Sequence, residues 1–259
     1  MQLRDRHVVV TGAAGGIGSA LARRFHAEGA RVVLTDLAGA PDVSRELRGS
    51  LSIAADQTSE AAINSMIDEA EAAFGPIDLY FANAGVAIGT DPMDDEATWE
   101  LAFAVNIHAH RWAARRLLPG WLERGEGYFC STASAAGLVA QIGSAPYSVT
   151  KHAAVAFAEW LSITYGNHGL RVSCLCPQGV NTNMIRRAEE LGGGGQVVRA
   201  VGAVLEPEEV AEVVVEAIGN ERFLILPHPE VAGYAAMRAS EHERWLAGMR
   251  KLQRRVVGY

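Results

Sequence analysis

The sequence predicts a single doubly wound α/β domain, built on a mostly parallel sheet of about seven strands. Three observations lead there. Short β-branched runs alternate with helical patterns along all 259 residues, with no linker or repeat between them. A glycine-rich turn, TGAAGGIG at 11–18, joins the first run to the first helix. Residues able to do chemistry fall where strands end, and open sheets of this kind bind ligands beyond the carboxyl ends of their strands.

Each element has its own justification. Residues 8–10 form a β-branched first strand, and Ile17, Leu21, Ala22 and Phe25 mark a helix that ends at Glu28 and Gly29. A second apolar run, 32–34, closes on Thr35 and Asp36. Strand, turn, helix and strand make a mononucleotide-binding unit. Gly12 permits a tight bend. Gly16 and Gly18, on either side of Ile17, remove side chains where backbone must approach a pyrophosphate at a helix N-terminus. Asp36 can accept hydrogen bonds from adenosine ribose hydroxyls and would repel a 2′-phosphate. No Arg or Lys lies within 11–18 or directly after Asp36 to welcome that phosphate.

The alternation continues. Residues 51–55 form the third strand, ending at Asp56, and Ser59 caps a helix that runs to Phe74. Residues 77–81 form the fourth, followed by Asn83, Ala84 and Gly85, the glycine letting the chain pass close to a ligand. Asp94, Asp95 and Glu96 load the first turn of a helix with Arg115 and Arg116 in its last turn, stopped by Pro119 and Gly120. Asn106 is an amide inside that helix, where a satisfied structural hydrogen bond is the simpler account. Residues 128–131 form the fifth strand. The helix over 147–166 carries Ala153, Ala154, Ala156 and Ala158, a face suited to a dimer seam or to close packing inside the subunit. The sixth strand, 170–176, ends in PQGVNT, which contains Pro177, Gly179, Val180 and Thr182.

Residues 183–205 read as a substrate lid: Met184, Ile185, Val197, Val198 and Val201 surround four glycines, 192–195, that interrupt any helix. Arg186 and Arg187 in that stretch read as solvated, although they could also greet an acidic substrate group. Pro207 starts a helix that Gly219 and Asn220 end, and 223–226 form the seventh strand. The C-terminal extension, 227–259, holds an amphipathic helix with many Arg and no chemistry of its own to assign.

The chemistry concentrates in 134–151, SAAGLVAQIGSAPYSVTK. Tyr147 and Lys151, four apart on a helix, share a face. At ~6 Å and an effective dielectric of ~20, the lysine charge favours the phenolate by roughly 3 kcal/mol, about two pKa units. Such a tyrosine passes a proton near neutral pH, and Ser134 could hold the reacting oxygen beside it.

Composition narrows the classes. The chain is 49% hydrophobic and 20% charged, ordinary for a globular protein. A formal charge of -7 gives no general attraction to nucleic acid or anionic membrane. No apolar run approaches the ~20 residues of a bilayer span. Three cysteines and no secretory apolar segment point to the cytoplasm. Cys174 and Cys176, with Cys130, read as small core residues rather than metal ligands, and no metal is expected.

With these residues assembled, the chain resembles the short-chain dehydrogenase/reductase family over 8–226. The matches are TGAAGGIG at 11–18, Asp56, NAG at 83–85, Asn106, Ser134, YSVTK at 147–151 and PQGVNT at 177–182. The resemblance implies a Rossmann-type domain that binds NAD. It implies Tyr147 as general acid/base, Lys151 as the group that lowers its pKa and holds the nicotinamide ribose, Ser134 on the substrate oxygen and Asn106 in a proton relay. Val180 and Thr182 would hold the nicotinamide carboxamide, and Asp56 the adenine. The wider cofactor set is Gly12, Gly16, Ile17, Gly18, Asp36, Asn83, Ala84, Gly85, Pro177 and Gly179. A homodimer or homotetramer seam would use the helices over 95–118 and 147–166. Ala82 departs from the asparagine often found before Asn83, and Gln178 separates Pro177 from Gly179.

The expected reaction is hydride transfer between NAD and a secondary alcohol or its ketone. Ala135, Ala136, Leu138, Val139 and Ile142 predict an apolar substrate flank, with Gln141 its polar member and Met184 a lid contact. The competing readings are an NADPH-dependent ketone reductase and a catalytically idle dinucleotide-binding regulator. Intact Ser134, Tyr147 and Lys151 speak against the second, since a sensor needs no proton donor.

Overall fold

The computed structural model describes residues 1–190 and 194–258. Seven strands, His7–Thr11 (β1), Arg31–Asp36 (β2), Leu51–Ala54 (β3), Leu79–Ala82 (β4), Gly127–Thr132 (β5), Leu170–Leu175 (β6) and a last short one, Leu224–Ile225, form one sheet. Two further pairs of residues, Gly179–Val180 (β7) and Val204–Leu205 (β8), make a separate ribbon, so the last sheet strand is β9. The order is β3-β2-β1-β4-β5-β6-β9, and every neighbour is parallel. This is the predicted Rossmann-type sheet. The chain reverses direction of travel between β1 and β4, which opens a crevice above their carboxyl ends.

Strand pleating distributes the core. Val8 and Val10 of β1 join a cluster with Leu21 and Phe25 of the first helix, Gly16–Ala27 (α1), while Val9 between them faces the opposite cluster. Both faces are covered, as a parallel sheet requires. Helix Pro41–Glu46 (α2) is a short connector. Glu60–Phe74 (α3) begins as expected, with the Ser59 side chain accepting from Ala62 N.

The next helix departs from the sequence reading. Glu96–Phe103 (α4) opens at an Asp95 cap, passes through a π-helical turn, Ala104–His108, and continues as Ala109–Arg124 (α5). Pro119 and Gly120 do not stop it; it ends at Gly125 in the left-handed conformation, φ 65°. Trp121 is the reason. It is buried to 2% exposure, donates its indole N–H to Ile77 O at 2.8 Å, and fills the space over Gly127 where any side chain would collide with it. Burying ~150–250 Å² of aromatic surface at ~25 cal/mol per Å² is worth about 4–6 kcal/mol, more than the ~3 kcal/mol of an interior proline.

Ala145–Tyr165 (α6) follows β5 and a 3-10 turn, Ala135–Gly137. Its alanines divide: Ala154 and Ala158 are packed inside the subunit, whereas Ala156 is exposed. Cys130, Cys174 and Cys176 are buried in the core, with 3.8 Å between the last two sulfurs. In the expected lid, Asn183–Glu190 (α7) and Gly194–Val201 (α8) flank 191–193; the part of the glycine argument that falls on Gly192 and Gly193 lies outside the described residues. Pro207–Gly219 (α9) carries a reciprocal Glu206/Glu209 capping box. The extension forms Glu230–Ser240 (α10) and His242–Val256 (α11). It reaches back to the crevice edge: His228 Nδ1 accepts from Gln178 N at 3.1 Å, and Arg238 donates to Leu138 O at 3.3 Å. Among the described residues no helix is long and apolar enough to cross a membrane.

Candidate active site

A cleft of about 750 Å³ lies over the carboxyl ends of the central strands. Gly12, Gly16, Ile17, Gly18, Asp36, Asp56, Asn83, Ala84, Gly85, Ser134, Gln141, Tyr147, Lys151, Pro177, Val180, Thr182 and Met184 all line it. Seventeen positions chosen from sequence therefore converge on one wall system.

The glycine turn is built mainly by internal packing. Gly12 has φ +66°, and Gly15 N donates back to Gly12 O at 3.1 Å. A side chain at Gly18 would overlap the Gly12 carbonyl and press on the Asn83 amide; one at Gly16 would strike Thr182. Both glycines are thus required by the protein's own packing, on the same wall where clearance for a ligand is expected. What the turn leaves open is the start of α1, which has no side-chain cap and no acidic residue in its first turn. Its free N–H groups make a site for an anion such as a pyrophosphate. Asp36 stands beside it, accepting from Ala14 N at 3.0 Å and Leu37 N at 2.8 Å. Asp56 binds Thr58 through its backbone N and its hydroxyl, both at 2.8 Å.

Thr11 and Thr132 knit the strand ends together, a task the sequence reading missed. The Thr11 hydroxyl accepts from Asn83 N and Ala84 N, both at 2.9 Å. Asn83 Nδ2 donates to Thr11 O at 2.9 Å, and its Oδ1 accepts from the Thr132 hydroxyl at 3.0 Å. The only sequence signal was that each threonine closes a strand.

At the other end, Lys151 is 2% exposed and donates to Thr132 O at 2.9 Å, with its Nζ 5.5 Å from the centre of the Tyr147 ring. Burial pushes the ammonium down to about 8. Burial also raises the Tyr147 phenol above its ordinary value; the nearby Ser134 hydroxyl pulls the other way and only partly offsets it. The net direction is opposite to the two-unit lowering argued from charge alone. That argument counted the Coulomb attraction and left out the desolvation of a half-buried phenol. Ser134 also accepts from Ala136 N at 3.1 Å and donates to Pro177 O at 3.4 Å.

Two expected site residues are elsewhere. Asn106 is fully buried behind the wall, its Oδ1 accepting from Val86 N (2.9 Å) and its Nδ2 donating to Val86 O and Thr150 Oγ1 (both 3.0 Å). The π turn rotates it there, and every amide proton is used, so it braces the 83–86 segment against α6. Gly179 pairs with Val204 in the ribbon and is not among the residues that line the cleft. The apolar flank is also reassigned. Ala135 lines the cleft as expected, but Ala136 and Ile142 are buried, Leu138 packs on the core, and most of the apolar lining comes from Val86, Ala87, Ile88, Leu101, Val105, Ile185 and Val198. Periodicity could not reveal this, because the 86–90 segment has no regular structure.

His110 lies one turn beyond Asn106. It is 1% exposed, and neither ring nitrogen has a hydrogen-bond partner among the described residues. Burial, then the Lys151 charge, pushes it down to about 3. The unfolded chain titrates near 6.5 and so binds the extra proton between pH 6.5 and 3, which drains stability as pH falls through that window. Each unit of difference is worth about 1.4 kcal/mol. Denaturant midpoints measured from pH 7 to 4 should fall less steeply for His110→Leu than for the wild type; parallel slopes would remove His110 as the group responsible.

Comparison with known proteins gives a consistent set. The family model described as short chain dehydrogenase matches residues 6–191. The chain is 36% identical to 1-deoxy-11-beta-hydroxypentalenate dehydrogenase of Streptomyces exfoliatus, over 89% of this chain and 86% of that one. It is 33% identical to cis-4-hydroxycyclohexanecarboxylate dehydrogenase of Sinomonas cyclohexanicum, over 81% and 88%. A short chain dehydrogenase/reductase from Burkholderia phymatum, solved in complex with NAD, superposes with TM-score 0.83 at 27% identity, over 94% and 96%.

Proposed function

The chain belongs to the short-chain dehydrogenase family and is an oxidoreductase acting on CH–OH groups, and from that premise we propose that it transfers a hydride between NAD and an apolar, ring-bearing secondary alcohol or its ketone. The observation that carries this reading is the convergence of Ser134, Tyr147 and Lys151 on the same cleft as the open α1 terminus and Asp36. Two relatives named for hydroxylated ring acids support the ring.

The residues present fit NAD. The uncapped α1 start suits a pyrophosphate, and the Asp36 carboxylate, followed by exposed Leu37, suits free ribose hydroxyls and repels a 2′-phosphate. Asp56 would meet the adenine, and Val180 and Thr182 the carboxamide. Bound there, NAD would supply the hydride acceptor. The chain's own part is proton handling. Ser134 holds the substrate oxygen, and Tyr147 gives a proton to it in reduction and takes one in oxidation. Lys151, anchored by Thr132 O, keeps a positive charge beside the phenol and offers its other N–H donors to the ribose. Apolar walls from Val86, Ile88, Val105 and Ile185 exclude water and hold the ring. Residues 183–205 serve as the lid, a role that hydrogen exchange with and without ligands reads directly. Exposed Val149, Trp160 and Ile163 on α6 support a homodimer or homotetramer, which light scattering at micromolar concentration reads.

An alcohol and ketone panel followed by nicotinamide absorbance, with NAD and NADP compared, tests the proposal. NAD should be preferred in kcat/KM, and Asp36→Ala should narrow the gap by removing like-charge repulsion. A wild-type preference for NADP would overturn the cofactor assignment and favour the ketone-reductase reading.

A further inference from the structure

Arg186 and Arg187 are neighbours that look alike in the sequence, but the fold gives them different surroundings. Arg186 is committed at the head of α7: its Nη1 donates to Asn181 Oδ1 at 2.9 Å and its Nη2 to Asn183 Oδ1 at 2.6 Å. Arg187 lines the cleft instead, and among the described residues no hydrogen bond or ion pair engages it. The other cation on the wall, Lys151, is already held by Thr132 O. The two lining carboxylates, Asp36 and Asp56, belong to the strand ends β2 and β3, at the glycine-turn end of the cleft. Met184 and Ile185 precede Arg187 on α7, and Val198, Leu101 and Val105 add further apolar lining to the same cleft.

Arg187 is exposed, so its guanidinium is an unengaged cation on the wall of a cleft lined largely by apolar side chains, where a bound substrate would meet it. Its planar fork matches a carboxylate in bidentate fashion, and the pair strengthens when the apolar body of a bound ligand covers it. We propose that Arg187 forms a carboxylate-recognition subsite, so that the substrate class is an apolar secondary alcohol or ketone carrying a carboxylate distant from the reacting carbon. The inference rests on the reading of this cleft as the dehydrogenase site and adds to it the residue that selects the acid. Both arginines are exposed, as the solvated reading has it; Arg187 takes up the acidic-group alternative, and Arg186 is left to its two asparagine contacts.

The test is calorimetric titration of the NADH-loaded protein with cyclohexanecarboxylate and 4-cyclohexylbutanoate, each against its primary amide. At least one acid should bind ~ten-fold more tightly than its amide, the scale of one charge-assisted hydrogen-bonded pair. Arg187→Gln should bring acid and amide to near equality, and Arg187→Lys should retain part of the preference. Equal binding of acids and amides by the wild type, or a preference that survives Arg187→Gln, would overturn the subsite. These ligands carry no hydroxyl and need no turnover. A protein that oxidises neutral alcohols without preferring acids therefore keeps the dehydrogenase reading and loses this one. A protein that prefers acids but turns over no alcohol or ketone does the reverse.

Discussion

Tyr147→Phe should lower turnover by about three orders of magnitude, within the range that a positioned general acid/base contributes, while NAD affinity stays within a few-fold. The substitution removes one oxygen and leaves the ring beside Lys151 in place. Lys151 keeps its bond to Thr132 O, so the ribose contact it would offer is undisturbed. Ser134 remains to hold the substrate oxygen, but its proton is too weakly acidic to replace the phenol's. The pH profile adds a second check. Because burial holds the Tyr147 phenol above its ordinary value, the protonated form prevails at neutral pH. Ketone reduction, which needs that proton, should be favoured there; alcohol oxidation, which needs the phenolate, should climb steadily with pH. Full activity in Tyr147→Phe, tracked by nicotinamide absorbance, would remove the mechanism.

Gly18→Ala should be severely damaging. The new Cβ would overlap the Gly12 carbonyl oxygen and sit 2.8 Å from Asn83 Nδ2. Both obstacles belong to the knot of Thr11, Gly12 and Asn83 that joins β1 to β4, so neither can rotate away. Overpacking a core costs roughly 1–3 kcal/mol even when side chains can adjust, and here the backbone must move. The turn would open, the start of α1 would shift, and NAD binding should weaken by about two orders of magnitude. Gly233→Ala in α10 is the matched control: nothing lies within 4 Å of its added methyl, and the helix gains about 1 kcal/mol from the better helix former. Thermal midpoints and NAD titrations of the two variants should therefore separate in opposite directions. If both behave alike, the close approach at Gly18 is not what shapes the turn.

The two arginines and the two glycines illustrate what linear reading captures. That 11–18 is a glycine turn between a strand and a helix follows from residue type and order alone. That the Gly12 carbonyl itself demands Gly18 depends on how tightly α1 folds back over the turn. Likewise the pair at Arg186 and Arg187 is visible as charge, but which of them faces the cleft depends on the orientation of α7 against the ribbon of β7 and β8.

The sequence by itself determined the alternation of strands and helices, the parallel sheet, the Tyr147/Lys151 spacing and the strand-end positions of Asp36, Asp56, Asn83 and Ser134. All of these rest on local periodicity, turn chemistry and the rule that parallel sheets bind at their carboxyl ends. Only the tertiary structure decided the remainder: the helix that runs through Pro119 because Trp121 is buried, the π turn that withdraws Asn106 from the cleft, and the desolvation that raises Tyr147 against the pull of the Ser134 hydroxyl. Each of these is a contest between a local preference and a burial term. Burial is a property of residues far apart in the chain, so its outcome cannot be read from neighbours in sequence.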